Sequence, residues 1–218
     1  MKLKGLFCAF LIAVLTLGIL LPPAATAEAA AAPVLKTGST GGDVWDVQYR
    51  LKVLGVFTDT MDGIYGPKTA EAVRKFQTRY GLSADGIVGP STWRALRKYT
   101  VNLKEMELLA RVVYSEARGE PYKGQVAVAA VVMNRLKSNQ FPDTISGVIF
   151  QPGAFTAVDD GQFWLTPNDS AYKAAKEAVR GWDPSRGALF YYNPKTAVNK
   201  WIRSRPILVQ IGNHVFTS

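Results

Sequence analysis

Apolar and polar positions alternate along this chain in two grammars. In the stretch "GDVWDVQYRLKVLG", Val44, Val47, Leu51 and Leu54 recur at helical spacing, and Gly55 supplies the stop. Two more helices are predicted by an internal repeat. "DGIYGPKTAEAVRKFQ" from Asp62 and "DGIVGPSTWRALRKYT" from Asp85 align at a spacing of 23, with Asp-Gly, Gly-Pro and Thr in register. Each Gly-Pro breaks the chain, and each Pro opens a helix where its missing N–H costs nothing. Residues 36–100 should therefore form a compact three-helix bundle, with Trp45, Phe76 and Trp93 as core aromatics.

The second grammar begins at once, because Thr100 to Lys104 is the whole linker and so short a connection restricts relative motion. A helix is predicted from Leu103 to Arg118, stopping at Gly119. Pro121 opens another, "PYKGQVAVAAVVMNRLKS", apolar on every side and hence buried. Residues 139–168 are rich in Gly, Pro and aromatics, with β-like pieces at "GVIF" and "AFTAV", and a stretch this irregular is often functional. A third helix spans Asp169 to Arg180. "ALFYY" and "ILVQIGNHVF" read as strands, with Gly212-Asn213 as a hairpin turn. Residues 101–218 thus read as an α+β unit.

Ahead of both lie Lys2 and Lys4, an apolar run from Gly5 to Leu21 and Ala25-Thr26-Ala27. Residues 1–27 read as a secretory signal peptide, an uncleaved anchor being the competing reading, and 28–35 as a short N-terminal segment. The one cysteine, Cys8, falls inside that signal, so the exported part has no disulfide framework and no thiol nucleophile. Without Lys2 and Lys4 the net charge falls from +9 to +7, +3 over residues 28–100 and +4 over 101–218, without a clustered Lys/Arg stripe. That pattern suits a solvated surface or an anionic wall polymer better than nucleic acid.

The available chemistry is narrow. With one histidine and no exported cysteine, no zinc site can be assembled from His and Cys ligands, and no cofactor is indicated. A Ser-His-Asp triad would have to use His214, which follows a hairpin turn between apolar residues and reads as structural. Asp159 and Asp160 lack the spacing of a calcium loop and read as turn residues. Carboxylate acid/base work remains. Leu109, Val112, Val113 and Glu116 fall at i, i+3, i+4 and i+7, so Glu116 shares a face with the core. Lost hydration there would raise its pKa and suit it to donate a proton. Pairing with Arg118 or a buried donor explains the same placement equally well. Glu120, between Gly119 and Pro121, reads as a helix cap, and Asp159, Asp160 and Asp169 are only distant partners for Glu116.

Two resemblances weigh on this balance. The repeat motifs, with Leu51-Gly55, Phe76-Gln77 and Gly81-Leu82, resemble a peptidoglycan-binding domain. "ARVVYSEARGEPYKGQVAVAAVVMNRL", "VIFQPGAFTAVDDGQFW", "ALFYYNPKTA" and "IGNHVF" resemble the catalytic domain of spore cortex-lytic enzymes, wall hydrolases acting in germination. The resemblance implies a mainly α, signal-exported two-domain protein: a three-helix peptidoglycan-binding bundle, then an α+β lysozyme-like catalytic domain. It implies a lytic transglycosylase with Glu116 as the acid/base. In that reaction the muramoyl C6 hydroxyl attacks its own anomeric carbon, which removes the need for a second carboxylate. Tyr191, Tyr192 and Asn193 resemble a Tyr-Asn element lining the cleft of related transglycosylases. Since Tyr191 and Tyr192 alternate along a strand, at least one of them should be core. Gln151, Phe155, Thr156 and Trp164 are further expected cleft residues, as aromatic faces suit sugar rings and amides or hydroxyls suit N-acetyl groups. A metal-dependent muramoyl-alanine amidase and a non-catalytic wall-binding protein are the alternatives. The implied partner is spore-cortex peptidoglycan, met as a monomer in the cortex, at the outer face of the inner membrane or in the cell wall, with room for a regulatory partner protein.

Overall fold

The computed structural model describes residues 32–218, and the expected signal segment lies outside the described residues. Among these, no helix is long and apolar enough to cross a membrane. The repeat folds into α1 (Gly42–Val53), α2 (Pro67–Arg79) and α3 (Pro90–Tyr99), with Pro at the first turn of the latter two. Its two turns are latched identically. Gln48 Nε2 donates to Asp62 Oδ1 (2.8 Å) and Thr69 Oγ1 (3.1 Å), while its Oε1 accepts the Gly63 N–H (2.9 Å). Gln77 repeats every contact with Asp85 (2.8 Å), Thr92 (3.1 Å) and Gly86 (2.9 Å). Gly63 and Gly86 take φ of 72° and 73°, a left-handed conformation open to glycine at no steric cost. Phe76 and Trp93 are buried as expected. Trp45 is only half-buried, stacked on Tyr49 at 5.6 Å, because the inward stripe of α1 is Val44, Val47 and Leu51.

The linker enters α4 (Leu103–Ala117) through a capping box, in which Asn102 Oδ1 accepts the Glu105 N–H (2.8 Å) and Glu105 Oε2 accepts the Asn102 N–H (2.7 Å). The same Glu105 carboxylate pairs at 3.1 Å with Arg50 of α1, a buried guanidinium that also reaches the Thr100 hydroxyl. A second tie runs from Arg180 Nε to the Val53 carbonyl at 2.9 Å. Residues 32–218 thereby cluster as one compact unit.

The centre of the second half is α5 (Tyr122–Lys137), buried without interruption from Gly124 to Met133. Against it lies α8 (Asp169–Val179), whose Ala171, Ala174, Ala175 and Ala178 form a small-residue stripe that permits close packing. Strands β1 (Phe190–Tyr192), β2 (Ile207–Ile211) and β3 (His214–Thr217) make an antiparallel sheet in the order β1-β3-β2. Tyr191 pairs with Phe216, and Ile211 with His214 across the Gly212-Asn213 turn.

Two expected β pieces are helical instead. "GVIF" belongs to α6 (Ile145–Ile149), nucleated by Thr144, whose hydroxyl accepts the Gly147 N–H (3.1 Å). "AFTAV" enters α7 (Thr156–Asp159), whose exposed first-turn N–H groups find an acceptor in another element. Apolar runs of four or five residues do not separate strand from helix, and the caps decide.

Candidate active site

The last turn of α4, the first of α7 and the edge strand β1 converge on Glu116. Its side chain is half-buried at the wall of a cavity of about 840 Å³. Oε1 accepts the Ala157 N–H at 2.9 Å, so the carboxylate supplies the acceptor that α7 lacks at its start. Oε2 accepts the Tyr191 hydroxyl at 2.9 Å. Burial first, then the charge and hydrogen bond of Glu116, raise the Tyr191 phenol well above its ordinary pKa, so it stays protonated and donates. Arg118 does not pair with Glu116. It donates to Gln162 Oε1 at 2.6 Å and lies over Tyr114.

Six of the seven expected contact residues line this cavity: Gln151, Phe155, Thr156, Tyr191, Tyr192 and Asn193. Tyr191 and Tyr192 both do so because β1 is a sheet edge around which the cavity wraps, and both are half-buried. The Tyr191 ring nonetheless packs against His214 (5.1 Å) and Phe216 (5.8 Å), with its hydroxyl directed to Glu116. Trp164 is not brought in. A single 3₁₀ turn, Gln162–Trp164, buries Phe163 and turns the next side chain outward, leaving Trp164 64% exposed and stacked on Phe150.

Among the described residues lining the cavity, Glu116 carries the one carboxylate. Asp160 is occupied locally by Gln162 (3.0 Å to its N–H), and Asp169 sits in the first turn of α8. Glu120 is no helix cap. Its carboxylate accepts the Asn213 N–H (2.9 Å) and side-chain amide (3.1 Å), clamping the β2–β3 turn from outside. A Cβ on Gly212, which takes φ 59°, would stand 2.1 Å from Glu120 Oε2 and 2.8 Å from Pro121 Cδ, so a side chain there would displace the clamp. No group of three or more acidic, His or Cys side chains among the described residues could hold a metal ion.

Two further residues of the cavity lining are Arg135, which the sequence reading does not single out, and His214, which it takes as structural. Arg135, 5% exposed, is sandwiched among Phe155 (5.0 Å), Phe141 (5.1 Å) and Phe190 (5.4 Å), and its Nε donates to the Leu189 carbonyl at 2.7 Å. Burial lowers its pKa, and the Tyr191 and Glu116 side chains oppose that shift. The signal was present: a charged residue in a helix otherwise apolar on all sides is the same anomaly that singled out Glu116. His214 backs Tyr191, with its Nδ1 buried and without a partner in the structure. Burial lowers its pKa against the pull of Glu120 and Glu116, so the imidazole is neutral.

Comparison with known proteins follows the same division. A peptidoglycan binding domain profile matches residues 40–96, and a cell wall hydrolase profile matches residues 119–217. The spore cortex-lytic enzyme of Bacillus cereus is 40% identical, the match covering 87% of this chain and 88% of that protein. That of Oceanobacillus iheyensis is 41% identical over 84% of this chain and 86% of its own length. The solved catalytic domain of the germination-specific lytic transglycosylase SleB from Bacillus anthracis is 55% identical, covers 54% of this chain and 97% of its own, and superposes with a TM-score of 0.52.

Proposed function

The chain belongs to the spore cortex-lytic enzyme family, and from that premise we propose that Glu116 is the single acid and base of its lytic transglycosylase reaction. The protein degrades cortex peptidoglycan by cleaving the glycan strand, and its first half is a peptidoglycan-binding module. The observation carrying the assignment is the placement of Glu116: the one carboxylate among the described cavity-lining residues, held by donors from two other elements.

Its hydrogen bonds favour one oxygen as the carrier of the proton. The Ala157 N–H occupies Oε1 and can only donate, so the acidic proton belongs on Oε2. The Tyr191 hydroxyl, which rotates, donates to Oε2 when Glu116 is ionised and accepts from it when Glu116 is neutral. Glu116 gives this proton to the bridging oxygen as the bond from that oxygen to muramoyl C1 breaks. The C6 hydroxyl of the same residue then bonds to C1, and its proton returns to the carboxylate, leaving a 1,6-anhydro end and a regenerated acid. Phe155, Tyr192 and Asn193 hold the sugar, with Gln151 and Thr156 at the cavity mouth. Trp164 lies outside the lining of this cavity.

Glu116→Gln keeps the size and the Oε1 acceptor for the Ala157 N–H, with an amide NH2 facing the Tyr191 hydroxyl, but cannot transfer a proton. Cleavage should fall by at least about a hundred- to ten-thousand-fold while wall binding is retained. Mass spectrometry of wild-type products should find anhydromuramic ends that resist borohydride. Reducible ends would make water the nucleophile, and an active Gln variant would remove Glu116 from the reaction.

A further inference from the structure

We propose that a basic groove between the two halves is a second substrate site, taking the carboxylate-ended peptide stems of the same glycan strand that lies in the cavity. It rests on the reading of the cavity as a glycan cleft. The groove has a volume of about 630 Å³ and is walled on one side by Arg94, Arg97 and Lys98 of α3, on the other by Lys137, Phe141 and Asp143. Three cations come from one face of α3, at i, i+3 and i+4, and one from the last turn of α5. Among the described residues, none of the four forms an ion pair or donates a side-chain hydrogen bond. Like charges gathered around one space repel and oppose the docking of the halves, with Asp143 as the one acidic side chain of the lining. An external anion resolves that repulsion.

The position of the groove indicates which anion. Phe141 lines it, and the far face of the layer to which Phe141 belongs is the cavity. Phe141 packs on Phe190 at 5.8 Å and under Arg135 at 5.1 Å, and both of those residues line the cavity. The end of α5 likewise sends Arg135 to the cavity and Lys137 to the groove, two residues apart. Phe141 therefore joins the lining of the groove to two residues of the cavity wall. What projects sideways from a muramic residue is its lactyl-linked peptide, which ends in a carboxylate. A stem leaving the cleft over Phe141 would meet Lys137 first and the α3 cations next.

The test uses the full chain on soluble glycan strands bearing stems and on the same strands with the stems removed enzymatically. At low salt the wild type should show a kcat/KM roughly three- to tenfold higher on stem-bearing strands. Arg94→Gln/Arg97→Gln/Lys98→Gln should lose that preference with its stem-free rate unchanged. It should also melt no lower than the wild type, as relief of like-charge repulsion requires. If the triple variant instead folds poorly, the wild type alone decides, because its preference should shrink as salt is raised. Equal rates on both substrates, a preference indifferent to salt, or a preference kept by a well-folded triple variant would each overturn the proposal. Failure of the transglycosylase reading is separately visible as reducible ends on both substrates.

Discussion

Asp85 and Glu116 each accept two hydrogen bonds, and the origin of the donors separates their fates. Asp85 takes the Ile87 N–H at 2.8 Å and Gln77 Nε2 at 2.8 Å, both within eight residues along the chain. Those backbone and side-chain bonds lower its pKa, and the circuit closes within one turn. Glu116 takes its donors from Ala157 and Tyr191, 41 and 75 residues away. A carboxylate satisfied locally stabilises the turn that carries it. One satisfied by two distant elements exists only once the fold is complete, and it opens on a cavity.

The comparison is sharpened most by removing a donor on the catalytic side. Tyr191→Phe keeps the ring against His214 and Phe216 but strips Oε2 of its partner. A hydrogen bond to a charged group contributes about 1.5–3 kcal/mol, so kcat should fall roughly ten- to a hundredfold with little change in melting temperature. Loss of stability without loss of rate would make the Tyr191 contact structural and erase the contrast with Asp85.

Next in size is the opposite experiment in the binding module. Gln77→Ala leaves the buried Gly86 N–H and the Thr92 hydroxyl without their shared partner and opens space at a 1% exposed position. About 2–4 kcal/mol of stability should be lost, by denaturant titration, with the rate on soluble glycan fragments unchanged. Because Gln48 makes the same bonds in the first repeat, Gln48→Ala should cost a similar amount. A drop in turnover from either would mean that the turns communicate with the cavity.

The two regions also differ in how far the sequence discloses them. The repeat fixes its turns with contacts no more than 21 residues apart and repeats them in register, so Pro67, Pro90, Gly63 and Gly86 are readable from the pattern alone. Helices α4, α5 and α8 and the glycine hairpin are readable for the same reason, since periodicity and caps are local. Of the misplaced features, α6 turns on the local Thr144 cap, and the others depend on partners far along the chain or on burial. α7 begins where Glu116 provides an acceptor, Glu120 binds a turn 93 residues away instead of capping, and Trp164 follows a 3₁₀ turn set by the burial of Phe163. Arg135 was legible in principle. The spacing of Arg94, Arg97 and Lys98 puts them on one face of α3, but that Lys137 joins them is set only by packing α3 against the end of α5.

The smallest effect concerns His214, which packs on Tyr191 without touching Glu116 in any hydrogen bond of the described residues. Burial holds its folded pKa below the ordinary 6.5, so as pH falls through that value the unfolded chain takes up a proton that the fold refuses. Folding stability attributable to this group is complete above the ordinary value and declines as pH falls from there toward the depressed one. His214→Phe keeps a ring beside Tyr191 and has nothing to titrate. Melting temperatures of the wild type should therefore decline more steeply than those of the variant between about pH 7 and 5, where unperturbed histidine titrates. Turnover near neutrality should differ little, because the neutral imidazole is a packing partner and no proton passes through it. Parallel melting curves would show that the fold accommodates a charged His214. The unpartnered Nδ1 would then be the group to examine, since a protonated nitrogen there would need an acceptor in a region otherwise supplied by Tyr191 and Phe216.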